Sequence, residues 1–153
     1  MDSQELDRIY NFLLITESIA TSGQPTKEQF KIIANADYKL IINLALFNST
    51  NAIPEEKEIV ENLDIDYLHI PVIWENPTQE NFTDFCAAME ANRERKVFVH
   101  CAMNMRVSAF MYLYRILKQN IELDMAIIDL HKIWQPNDTW QSFIDRTLDD
   151  RLL

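Results

Sequence analysis

The chain has 153 residues, 48% hydrophobic and 25% charged, which is the mixture of a soluble globule. That length fits one domain, residues 1–153, with a core large enough to need no disulfides. Lys and Arg number 14 against 24 Asp and Glu, a net charge of −10, and that field argues against nucleic acid and anionic membrane as partners. A single glycine, Gly23, stands where ordinary composition supplies about ten, so other turns needing positive φ must use Asn or Asp.

In chain order, Ser3 can cap a first helix with Leu6, Ile9, Tyr10 and Leu13 on one face, by their i, i+3, i+4, i+7 spacing. Ser18 to Thr21 reads as a short strand closed by the turn Ser22-Gly23-Gln24-Pro25. Thr26 and Gln29 form a capping-box pair for a helix burying Phe30, Ile33 and Ala34. Lys39 to Leu46 is apolar enough for a central strand, and a loop at 49–54 leads to a helix through Ile59, Val60 and Leu63. Tyr67 to Val72 is the next strand, followed by a loop carrying Trp74 and Glu75. Thr78 caps a helix with Phe82, Phe85, Cys86 and Met89 on one stripe, where Cys86 reads as core. Lys96 to His100 is a short apolar strand, and a helix burying Val107, Phe110, Leu113, Tyr114 and Leu117 follows. Two last helices carry Leu123, Ala126, Ile127, Leu130 and Trp134, then Trp140, Phe143, Ile144 and Leu148, the second capped by Asp138. Trp134 and Trp140 read first as core.

Strands alternating with helices predict an α/β fold, a three-layer domain with a central, mostly parallel sheet of four or five strands flanked by helices. Ligands in such sheets bind beyond the carboxyl ends of the strands. The strand ending at His100 is the most apolar one that opens directly into a polar loop and a helix start. Cys101 follows it. The main-chain amides of Ala102, Met103, Asn104, Met105 and Arg106 precede the helix's own hydrogen bonds, so they can form an anion nest. Arg106 adds a fixed positive charge with a bidentate fork, and the combined field favours a thiolate at Cys101. A thiolate beside an oxyanion cradle is a nucleophile. His100 can orient the loop through backbone carbonyls, and Ser108, one turn on, can hydrogen-bond the sulfur.

Strand, His-Cys, short loop, then Arg106 and Ser108 opening a helix resembles the cysteine-dependent protein tyrosine and dual-specificity phosphatases. The upstream TSGQPTKEQF, with the strands KLIINL and YLHIPV, is similar to a small bacterial branch, DUF442. Some members of that branch relate to the accessory domain fused to β-lactamase-like hydrolases. The resemblance runs from Ile19 to Leu117 and implies a phosphatase-like domain, a phosphocysteine on Cys101 and no metal or organic cofactor. It also implies that Gln24 hydrogen-bonds the ligand. The family signature puts five residues between Cys and Arg, whereas here Ala102, Met103, Asn104 and Met105 are only four. Counted from Arg106, the loop is one residue short. Counted from Ser108, Val107 takes the arginine's place and Arg106 comes one step early, which turns its side chain by about 100°. Asn104 is the residue suited to replace the missing glycine.

A spacing of four residues also resembles the rhodanese-type sulfurtransferases, which would carry a persulfide on Cys101. A catalytically silent anion-binding module is the third reading. Phosphatase chemistry needs a proton donor, and Glu75 is the only carboxylate in the loop IWENP, where Trp74 can desolvate it. Asp84 is the alternative acid. His69 and His131 share no metal-ligand spacing. The expected partner is a phosphorylated small molecule or phosphoprotein. Two cysteines and an acidic N-terminal stretch without a signal pattern or membrane span lead us to expect a cytoplasmic protein, of open oligomeric state.

Overall fold

A computed structural model of the chain describes residues 3–152. Five strands, β1 (Leu13–Thr16), β2 (Ile19–Ser22), β3 (Leu40–Asn43), β4 (Asp66–His69) and β5 (Val97–His100), form one sheet in the order β1-β2-β5-β3-β4. β2, β5, β3 and β4 run parallel, and β1 pairs antiparallel with β2 at one edge. The helices are α1 (Ser3–Leu6), α2 (Lys27–Asn35), α3 (Glu56–Glu61), α4 (Gln79–Ala91), α5 (Met105–Lys118), α6 (Leu123–Ile133) and α7 (Asp138–Leu152). The fold is the expected three-layer α/β arrangement with a mostly parallel sheet.

The period of two along each strand sorts side chains onto two faces. Ile19, Leu40, Ile42, Val97 and Val99 join one core with Phe85, Val107, Phe110, Trp140 and Phe143, from α4, α5 and α7. Ala20, Ile41 and Phe98 join the other with Phe30, Ile33 and Val60, from α2 and α3. The same alternation sets the residues after β5. Cys101 carries on the parity of Val97 and Val99 and belongs to the α5 core, whereas His100 points with Phe98 toward α3. α5 runs against the sheet and under α6 and α7, and every residue from Arg106 to Arg115 is buried. Among the described residues, no helix is long and apolar enough to cross a membrane.

Two expectations about elements change, and one cannot be compared. The helical face drawn through Leu6, Ile9, Tyr10 and Leu13 breaks after one turn, because Asn11 turns the chain at φ 51° and Leu13 opens edge strand β1. The Ser3 side chain, expected to cap that helix, lies outside the described residues. α7 is capped by Asn137, whose Oδ1 accepts from the Trp140 amide, and Asp138 is already inside the helix. The Thr26 and Thr78 caps form as expected, each as a full capping box. Scarcity of glycine also has its expected result. Among the described residues, positive φ occurs at Asn11, Asp37, Asp64, Asn104 and Asn120. Gly23 is needed for space: a Cβ there would lie 2.6 Å from Tyr10 Cδ2 and 2.8 Å from the Ala102 carbonyl.

Candidate active site at the end of the central strand

The segment 101–105 leaves β5 at its carboxyl end and enters α5 through Asn104, which sits in the left-handed region at φ 68°. Cys101 is 1% exposed, and Ala102 and Met103 above it are half-buried and exposed. The loop's carbonyls are held from outside. His100 Nδ1 lies 3.3 Å from the Cys101 oxygen. The Gln24 amide and Asn51 Nδ2 both donate to the Ala102 oxygen, at 3.1 Å each. Asn11 Nδ2 donates to the Met103 oxygen at 3.0 Å. In a planar trans peptide, the carbonyl and the next residue's N–H point opposite ways. Fixing these three oxygens outward therefore aims the amides of Ala102, Met103 and Asn104 the other way. Among the described residues, no amide from Ala102 to Arg106 donates to a main-chain carbonyl. Asn104 locks the loop further, its Nδ2 donating to the Asn11 oxygen and to Thr21 Oγ1.

Beneath the loop on the α3 side lies a buried polar network. Glu56, 3% exposed, accepts from Gln24 Nε2 at 2.7 Å and Tyr67 Oη at 3.0 Å, and lies 2.6 Å from His100 Nε2. Burial alone would raise the Glu56 carboxyl, but His100 together with the Gln24 and Tyr67 hydrogen bonds outweighs it and holds the group below the ordinary carboxylate range. The Tyr67 phenol moves far upward, first through burial and then through the Glu56 charge, although Asn43 Nδ2 donates to its oxygen. Arg106, 7% exposed, gives Nη1 to the Val72 oxygen at 2.9 Å, and its guanidinium carbon stands 5.9 Å from the Trp74 ring centroid. Trp74 packs against Trp134 and Trp140, and its carbonyl accepts from Trp140 Nε1.

A family profile described as DSP-PTPase phosphatase fused to NAD+ kinase matches residues 15–144. A candidate phosphatase (DUF442) from Shewanella putrefaciens CN-32 is similar at 30% identity, over 97% of this chain and 98% of that one, with a TM-score of 0.87. The chain belongs to the protein tyrosine and dual-specificity phosphatase superfamily, in its small DUF442 branch. Lower-identity structures share the fold. The core catalytic domain of the PP-IP phosphatase SIW14 from S. cerevisiae matches at 19% identity over 90% of this chain and 85% of that one, with a TM-score of 0.75. Tk-PTP in its active form matches at 17% identity over 92% and 97%, also with a TM-score of 0.75. Among curated proteins the sequence finds no match.

As a phosphatase-superfamily member, the chain brings Cys101, the five amides and Arg106 to one end of the sheet, but several side chains sit differently than expected. Gln24 turns its side chain into the polar network on the α3 side. Its side chain is buried against Glu56 and the Pro25 oxygen, so it braces the loop from below while its amide braces it from the side. Ser108 does not donate to the sulfur. A hydroxyl has one proton, and this one goes to the Met105 oxygen at 2.8 Å while the oxygen accepts from Trp134 Nε1. Trp74 does not desolvate Glu75. The indole turns inward among the other tryptophans, and Glu75 stays exposed at the turn. Asp84 lies on the exposed side of α4. His69 Nε2 meets the Ala45 oxygen, and its ring abuts Phe47. Glu56 was missed. Its signal in the sequence was faint, one Glu in a charged run whose burial only the packing of α3 against β4 reveals.

Proposed function

We propose that the protein hydrolyses a phosphate monoester, on a small molecule or a phosphoprotein, with Cys101 as the nucleophile. The carrying observation is the run of amides from Ala102 to Arg106 with no main-chain acceptor, gathered between the end of β5 and the start of α5. Such a cradle stabilises equatorial phosphoryl oxygens without reorganising during the reaction. The thiolate of Cys101 attacks phosphorus and the bond to the ester oxygen breaks. That oxygen leaves with a proton from Glu75, the carboxylate of the loop whose Val72 oxygen is tied to Arg106. Water then attacks the phosphocysteine, gives its proton to Glu75, and releases inorganic phosphate and the thiolate. Arg106 holds the anion with the donors not spent on Val72, and its place beside Trp74 fixes its direction. The two cysteines, Cys86 and Cys101, are thiols rather than a disulfide, which supports a reducing, cytoplasmic setting.

Turnover of an aryl phosphate tests the reading. Cys101→Ser removes the nucleophile and abolishes turnover, while the wild-type protein gives a phosphocysteine in acid-quenched mass spectra. Glu75→Gln lowers kcat by roughly 10²–10⁴-fold. A mass gain of one sulfur from thiosulfate with no aryl phosphate turnover would establish sulfur transfer instead. Phosphate binding with no covalent product would leave an anion-binding module.

A further inference from the structure

We propose that Glu56 is the positioning residue of the Cys101 loop, acting through His100 and Gln24 to hold the loop's first two carbonyls outward and so to aim its first amides at the anion. The inference deepens the proposed function and rests on it only for the identity of the anion.

The geometry is a three-way anchor. One carboxylate oxygen takes the Gln24 amide side chain at 2.7 Å, and the other takes Tyr67 at 3.0 Å and faces His100 at 2.6 Å. Both anchored neighbours then touch the loop. The other nitrogen of His100 meets the Cys101 oxygen, and the main-chain amide of Gln24 meets the Ala102 oxygen. His100 is fully buried, with its ring near Phe30, so Glu56 is what fixes the imidazole plane. The carboxylate comes from α3, a different element from the loop it governs. Each peptide carbonyl held outward leaves the following amide, Ala102 or Met103, pointing the opposite way. A carboxylate suits the position because Gln24 Nε2 and Tyr67 Oη both donate to it and His100 Nε2 faces it. An amide side chain there would place an NH₂ group against one of them.

The test uses the full chain with iodoacetamide and inorganic phosphate as probes. The alkylation rate of Cys101, read by peptide mass so that Cys86 is counted separately, reports on the loop without requiring turnover. Phosphate affinity is measured by calorimetry and corrected for the folded fraction. Glu56→Gln is expected to slow Cys101 alkylation and weaken phosphate binding, each by roughly tenfold. Val60→Ala, a core truncation in the same helix, lowers the melting temperature but leaves both values unchanged per folded molecule. If Glu56→Gln behaves like Val60→Ala, the inference is overturned. If Glu56→Gln does not fold, Tyr67→Phe removes one donor from Glu56 and slows alkylation by roughly two- to threefold. An unchanged rate in that variant overturns the inference equally. A wild-type protein that binds no phosphate, yet whose alkylation responds to Glu56→Gln, would sink the phosphatase reading and leave the role of Glu56 intact.

Discussion

Asn104 holds a conformation that most residues avoid, at φ 68°, and uses its amide twice, on the Asn11 oxygen and on Thr21. Its Oδ1 is buried and has no partner, so its remaining worth lies in backbone geometry and the two donated bonds. The left-handed conformation costs a β-carbon-bearing residue without Asn's local options about 1–2 kcal/mol, and each lost hydrogen bond about 0.5–1.5. Asn104→Ala should therefore destabilise the protein by about 2–5 kcal/mol in urea denaturation. Asn104→Gly keeps the dihedral and loses only the bonds, so its loss should be the smaller of the two. An alanine variant no less stable than the glycine variant would show that the turn's dihedral carries none of the cost. Much of this was legible. One glycine in the chain left Asn104 as the natural occupant of the turn. The strand parity that buries Val97 and Val99 extends to Cys101, which sits at the floor of the loop. The targets of short polar side chains were not legible. Ser108 and Gln24 each had several acceptors in reach, and only the packed tertiary arrangement chose Met105 for one and Glu56 for the other.

α3 has six residues, lacks a side-chain cap, and gains its purpose from one buried carboxylate. That carboxylate makes acid stability an element-level property. The folded Glu56 carboxyl lies below its usual value, despite burial, because His100 from β5 and Tyr67 from β4 face it with Gln24. A group depressed on folding contributes its stability in full above the unfolded value of about 4.3, and loses it as pH falls through the lower folded value. Urea midpoints should therefore drop on acidification through that window. Glu56→Gln should be less stable at pH 7 and show a shallower acid slope. Parallel wild-type and variant curves would place the acid sensitivity elsewhere. The central elements were readable because their signals are redundant. The helix caps at Thr26 and Thr78 and the strands β2 to β5 were each marked by pattern and by punctuation. β1 was not readable. Four residues of half-exposed edge strand follow a helical spacing that Asn11 interrupts, and a single non-glycine turn is weak punctuation.

For the whole molecule, charge and cradle act on different lengths. The net charge of −10 repels a phosphate monoester at long range, while under the proposed function the amides and Arg106 attract it only at contact. Screening length shrinks from about 30 Å at 0.01 M salt to about 8 Å at 0.15 M, so added salt removes the repulsion first. That local attraction acts at hydrogen-bonding distance beside the buried Cys101 and Arg106, where screening is least effective. An enzyme steered by a positive field loses kcat/KM steeply with salt. This one should keep its kcat/KM for a small aryl phosphate within about twofold, or gain slightly, between those two concentrations of an inert salt. A fall of tenfold or more in the wild-type protein would mean that a positive surface outside the 101–106 loop guides the substrate. The cradle described here would then be only part of the binding site.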